Sequence, residues 1–220
     1  MSLEGKNRAL FSNNNSERVG SQFIFKDFEK TKSYHTNFSK SSFKGVSFRE
    51  AHLKYCSFVS CTFHDTDFVG TNLRGSNFTG AHFVDCVFVS VTIDKAKFKD
   101  ATFEHCYFVG TAISPSVLKN NNSEDKIIVL PHYPPHDEFD SELIQQIEKL
   151  RANDIIRRSN TLHCKNGKIN TLTLMILKEQ YSENELIKYL PLLPNYITTQ
   201  FYTISYLKMI LTKIKKSDTI

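Results

Sequence analysis

The 220-residue chain has no tryptophan, three methionines, six prolines and only eight glycines. None of the glycines builds a phosphate-cradling loop, and no GxSxG or HExxH pattern is present, which removes the commonest signatures of nucleotide, hydrolase and metalloprotease chemistry. Five cysteines (Cys56, Cys61, Cys86, Cys106 and Cys164) form no CxxC pair. An odd, unpaired set argues against a disulfide framework and against a zinc site. No uninterrupted apolar run reaches 18 residues, so no transmembrane helix is expected. The first twenty residues hold no apolar run longer than Ala9-Leu10-Phe11, so no secretory signal is expected either. Charge of one sign is also missing: 28 Lys and Arg face 23 Asp and Glu, a net +5. That is too dilute for a nucleic-acid surface, and nucleic acid and membrane are not expected as partners.

Phenylalanine is present in excess, with 18 copies. Written in blocks of five from Ser21, the chain places a large apolar residue third in each block. The series runs Phe38, Phe43, Phe48, Leu53, Phe58, Phe63, Phe68, Leu73, Phe78, Phe83, Phe88, Ile93, Phe98, Phe103, Phe108, Ile113, sixteen blocks without exception. Phe23 and Phe28 precede it, and Ser33 is the one defect. From Thr36 to Thr111 the first residue of each block is small: Ala51, Cys56, Cys61, Ala81, Cys86, Ala96, Ala101 and Cys106, with Ser, Thr and Val elsewhere. A period of five is neither helical nor that of a flat strand. It requires a backbone that returns one side chain in five to the same environment.

The small-x-Phe/Leu-polar-x pattern resembles the pentapeptide-repeat family over residues 21–118. The resemblance implies a right-handed quadrilateral β-helix of about five coils, with the third and first residues of each block inside and the other three in solvent. A narrow tube with room for one large and one small side chain per wall explains the strict pairing. Leu53, Leu73, Ile93 and Ile113 recur every twenty residues, so one wall is expected to be aliphatic and three aromatic, with no loops between Phe38 and Ile113. Four cysteines occupy the small inner position, where a thiol acts as a small hydrophobe. Reduced core thiols fit a cytoplasmic protein, including one delivered by a secretion system that uses no cleaved signal.

On the outside, acidic and basic residues look interspersed along the chain. His35, His52, His64, His82 and His105 fall at outward positions without stacking on one another, so no metal site is expected there. The repeat ends at Leu118. The segment 119–139 reads as a linker or cap, and the apolar run Ile127–Leu130 is a candidate strand on the last coil. His132 and His136 flank two prolines and read as a rigid turn rather than a metal pair. Residues 1–20 read as a flexible N-terminus.

Residues 140–220 read as a small all-α domain. Asp140 caps a first helix with Leu143, Ile144, Ile147, Leu150 and Ile155 as its stripe. A second helix spans Thr171 to Tyr181. The third opens with the capping box Ser182-x-x-Glu185 and stops before Pro191. The last runs from about Asn195 to Lys215; a homodimer through these helices is one use of their surface. Cys164, beside His163, is the one thiol outside the tube. No catalytic, cofactor-binding or metal residue is assigned, and no cofactor is expected. The expected function is a non-enzymatic protein–protein interaction scaffold of bacterial, effector-like type. The alternative implied by the resemblance is a DNA-mimicking, gyrase-protecting protein of the quinolone-resistance type.

Overall fold

The computed structural model describes residues 14–121 and 126–218. These fall into two compact units that divide between His132 and Tyr133.

The first unit is a four-walled β-solenoid of about five coils. Wall A carries β1 (Gln22–Ile24), β3 (Ser42–Lys44), β5 (Thr62–His64), β7 (His82–Val84) and β9 (Thr102–Glu104) as one parallel sheet. Wall B carries β6 (Asp67–Val69), β8 (Val87–Val89), β10 (Cys106–Val109) and β11 (Ile127–Leu130). Wall C carries β2 (Lys32–Tyr34) and β4 (His52–Lys54), continued by the bridges His52–Asn72 and Asn72–Thr92. Wall D is a ladder of bridges from Asn37 through Ser57 and Asn77 to Lys97. The register advances by twenty residues from Gln22–Ser42 to Val89–Val109 with no insertion.

Inside, phenylalanine stacks on phenylalanine. Phe43, Phe63, Phe83 and Phe103 on wall A lie 4.7–4.8 Å apart with planes within 7°. Adjacent walls meet edge to face, as at Phe63–Phe68, 5.5 Å and 63°. Both are favourable quadrupole arrangements. Leu53 and Leu73 fill wall C, and Ser33 is also buried there.

Two features of the block were not visible as separate signals in the sequence. Each fifth residue from Phe25 to Gly110 is left-handed, with φ between +48° and +69°. That conformation costs an L-residue roughly 1–2 kcal/mol, and only five of those eighteen positions are glycine. The ladder hydrogen bonds on both sides of each corner offset the strain. The inner small residue also does more than fit. Ser41, Cys56, Cys61, Thr71, Ser76 and Thr111 each donate to the carbonyl 23 residues earlier, at 2.5–3.2 Å. An inner Ser, Thr or Cys therefore satisfies a buried acceptor that alanine would leave with one partner fewer.

Several expectations need correction. Residues 14–20 are not outside the fold: Asn14 and Glu17 bridge Tyr34 and Asn37. Backbone pairing needs no inner phenylalanine, so the first coil forms with Arg18 at the central position. The run Ile127–Leu130, by contrast, pairs on the last coil as expected: it is β11, its Val129 opposite Phe108. Ile93, Ile113 and Ala96 are only partly buried, because the coil that should cover them breaks off. Not all outward positions are solvated: Val87, Val89, Tyr107 and Val109 on wall B are buried.

The chain leaves the ladder at the tight turn of Ile113 N–H onto Thr111 O, at 2.9 Å, and Pro115 keeps it from rejoining. That proline falls at a fifth position, where the backbone needs φ near +55°, and proline is fixed near −65°. The chain instead tightens into turns, with Val117 N–H on Ser114 O and Leu118 N–H on Pro115 O.

The second unit holds α1 (Ser141–Leu150), α2 (Asp154–Arg158), α3 (Thr171–Leu177), α4 (Glu183–Tyr189), α5 (Leu193–Tyr196) and α6 (Ile204–Asp218). Asp140 accepts from Glu142 N–H, and Ser182 with Glu185 forms the capping box. Ile155 is not on α1. That helix closes at Leu150, and Asn153 caps a new one through Ile155 and Ile156 N–H. α3 ends at Leu177, short of Tyr181. The last helix begins at Ile204 rather than near Asn195: the prolines confine α5 to one turn, and Ile197 is extended. Ile197 and Phe201 are buried without being helical.

Candidate interaction surface

The twenty-residue register sorts charge that looks mixed along the chain. Over residues 21–118, walls C and D carry Lys32, Lys40, Lys54, Arg74, Lys95, Lys97 and Lys99 against Asp94 and Asp100. Walls A and B carry Lys26, Lys30, Lys44 and Arg49 against Asp27, Glu29, Glu50, Asp65, Asp67, Asp85 and Glu104. One half of the tube is basic and the other half mildly acidic. The acidic half is broken by its own Lys and Arg, as where Lys30 lies 2.7 Å from Glu29 and 3.9 Å from Glu50.

Wall C also carries aromatic rings on its outer side. His35 stacks on Tyr55 with centroids 5.2 Å apart and planes within 9°. Tyr55 lies flat over Gly75, where a Cβ would meet its Cδ1 at 2.4 Å. The glycine makes room for the ring, and φ +69° would in any case disfavour a side chain there. Beside this column, Lys54 Nζ sits 5.9 Å from the Tyr34 ring centre, and Arg74 pairs with Asp94 at 3.2 Å. Tyr55 is 45% exposed. Fixed tyrosines flanked by basic side chains are the composition of protein-binding hot spots. A second column, Phe25 over Gly45, repeats the device at the corner after wall A.

The five solenoid histidines stay apart. His52 bridges Asn72, His82 Nδ1 lies 2.8 Å from Thr102 Oγ1, and His105 lies 4.0 Å from Glu104. Among the described residues no group of three His, Cys, Asp or Glu could hold a metal. Burial pushes the Cys56 thiol up to about 11 and Cys61 to about 12. Cys86 is raised well above the ordinary range by burial and by Cys106 beside it. These thiols stay protonated and make poor nucleophiles or ligands.

In the second unit, His163 is buried with Nε2 2.9 Å from Ile147 O, and burial lowers its pKa. Its Nδ1 has no hydrogen-bond partner among the described residues, and Cys164 beside it is half-buried. The apolar stripe of α6 (Ile204, Leu207, Ile210, Leu211, Ile214) is buried, leaving Met209, Lys213 and Lys216 around an open groove of about 440 Å³. Among the described residues no helix is long and apolar enough to cross a membrane.

Residues 21–98 match the model of the pentapeptide repeat region. A search of curated proteins finds no match. Similar solved structures include the pentapeptide repeat protein Rfr23 from the cyanobacterium Cyanothece 51142. It is 10% identical over 47% of this chain and 98% of that one, with a TM-score of 0.32. A pentapeptide repeat protein from the Arabidopsis thaliana thylakoid lumen is 19% identical over 52% and 76%, TM-score 0.32. QnrB1, a plasmid-mediated fluoroquinolone resistance protein, is 13% identical over 53% and 81%, TM-score 0.16. The repeat segment, its twenty-residue register and the matched family model agree: the first unit of this chain is a pentapeptide-repeat solenoid.

Proposed function

We propose that the chain is a non-enzymatic scaffold that binds a partner protein through the basic, aromatic outer side of wall C. The observation that carries this reading is the rigid column His35–Tyr55–Gly75 with Lys32, Lys54 and Arg74 around it. Its rings are immobilised before binding, so little entropy is lost on contact, and its charge suits an acidic partner surface. A flat wall of this kind offers no enclosed pocket for substrate. We extend the reading to a bacterial, effector-like scaffold that works in a reducing compartment, which its free inner thiols suit. The DNA-mimicking alternative needs a continuous negative stripe, and the acidic half of this tube is interrupted by Lys26, Lys30, Lys44 and Arg49.

The test is affinity capture from bacterial and host-cell lysates, comparing the native chain with the Lys54→Glu/Tyr55→Ala variant. Capture of a protein by the native chain, reduced at least tenfold by the variant, supports the reading. Equal capture by both would remove wall C as the surface. A gyrase supercoiling assay adds the contrast: no protection from fluoroquinolone is expected.

A further inference from the structure

The last coil is finished on wall B, closed at one amide on wall A, and open along walls C and D. On wall B, β11 pairs with β10 and Gly110 N–H reaches Leu130 O at 2.9 Å. On wall A, Phe103 N–H is closed by Asn121 Oδ1 at 2.6 Å. On wall C only the Val91 amide is closed, by Thr111 Oγ1 at 3.1 Å, and among the described residues no backbone carbonyl continues the ladder on wall C or D. One coil earlier, the amides of Leu73, Gly75, Phe78 and Gly80 donate to Thr92, Asp94, Lys97 and Lys99 carbonyls at 2.7–2.9 Å. Their counterparts Ile93, Lys95, Phe98 and Asp100 have no backbone acceptor among the described residues. Above them lies a groove of about 450 Å³, floored by Ile93, Ala96 and Phe98 and roofed by Ala112 and Val117. It opens where the chain leaves the ladder at Thr111–Ile113, ahead of Pro115.

An edge of unpaired amides beside an apolar groove is a template for another strand. Its donors ask for backbone carbonyls and its groove for apolar side chains at five-residue spacing; beside the groove Lys95, Lys97 and Lys99 outnumber Asp94, already paired with Arg74, and Asp100, and so favour carboxylates. The geometry points to strand addition here: an extended acidic segment of a partner protein continues walls C and D by half a coil, two apolar residues entering over Ile93 and Phe98. The site is the open edge one coil beyond the Tyr55–Gly75 column of wall C and adjoins it through Asp94, which pairs with Arg74. It shares with the scaffold reading only the premise of a protein partner.

The experiment is amide hydrogen exchange on the full chain, with and without the peptide Ala-Asn-Leu-Asn-Gly-Ala-Asp-Phe-Glu-Gly. Its two halves copy the block pattern and set carboxylates over Lys97 and Lys99. Without peptide, Ile93, Lys95, Phe98 and Asp100 should exchange quickly while Leu73, Gly75, Phe78 and Gly80 are protected. Saturating peptide should slow the first four at least tenfold. Backbone N-methylation of the peptide should abolish that effect, and Lys97→Glu/Lys99→Glu should weaken it at least fivefold. The Lys54→Glu/Tyr55→Ala variant should leave it unchanged, which separates failure here from failure of the wall C reading. No slowing at millimolar peptide overturns the proposal, as does equal slowing by the N-methylated peptide. Protection already present without peptide also overturns it. If it grows with protein concentration, a second copy holds the edge; if not, the chain's own residues do.

Discussion

The two units solve the same problem, burying apolar side chains with every backbone group paired, by opposite means. In the solenoid the environment of a residue depends on its place in a block of five, and coils touch only their neighbours. In the helical unit each element has its own start and stop: Asp140 at α1, Asn153 at α2, Ser182 at α4. Repetition makes the first unit's interior predictable and leaves its ends exposed. The second unit has no repeated interior, and its stability rests on individual contacts.

The largest effect should come from breaking a Phe ladder. Phe83→Ala removes a ring that stacks on both Phe63 and Phe103, and a loss of about 3–5 kcal/mol is expected in urea unfolding. Leu211→Ala, fully buried in the helical unit, should cost about 2–5 kcal/mol. If both units respond alike but unfold separately, probes placed in each will show two transitions. Ser182→Ala removes the capping box of α4 and should cost about 1 kcal/mol. Phe25→Ala, half exposed over Gly45, should cost only about 0.5 kcal/mol, the scale of a surface change. Equal losses at Phe25 and Phe83 would mean the register is wrong.

pH sharpens the same contrast. An unfolded thiol releases its proton near pH 8.5–9, whereas folded Cys61 holds it to about pH 12. Above pH 9 the unfolded chain therefore binds fewer protons, and stability falls as pH rises. Cys61→Ser, which keeps a donor for Phe38 O, should flatten that alkaline decline in chemical denaturation. In the helical unit the sign reverses. Glu185, beside Lys215 at 2.6 Å and the Ser182 cap, is lowered to about 2. Its contribution is present at neutral pH and is lost as pH falls from about 4.5 toward 2, so Glu185→Gln should blunt the acid decline.

The two units were legible in the sequence to different depths. Phe38 to Ile113 placed the tube, its four walls and the aliphatic column at Leu53 and Leu73. The same period held the outer charge pattern, but only reading the polar positions twenty apart reveals that walls C and D are basic. It also held the bar to rejoining the ladder, since Pro115 stands where every other block turns left-handed, a rule that appears only in backbone angles. Hence Ile93, Ala96 and Ile113 carry the pattern of core residues but lack a full coil above them. In the helical unit the caps Asp140 and Ser182 were readable because capping is local. The end of α1 at Leu150 and the extended stretch from Ile197 were not, because tertiary packing of Ile156, Ile197 and Phe201 outweighs the helical spacing around them.

Native-state thiol labelling with site assignment by mass spectrometry tests the inward register most directly. Cys56, Cys61, Cys86 and Cys106 should take label only as fast as the solenoid unfolds, while half-buried Cys164 reacts sooner. Rapid labelling of any of those four in the folded protein would contradict the four-walled tube and every surface assigned from it.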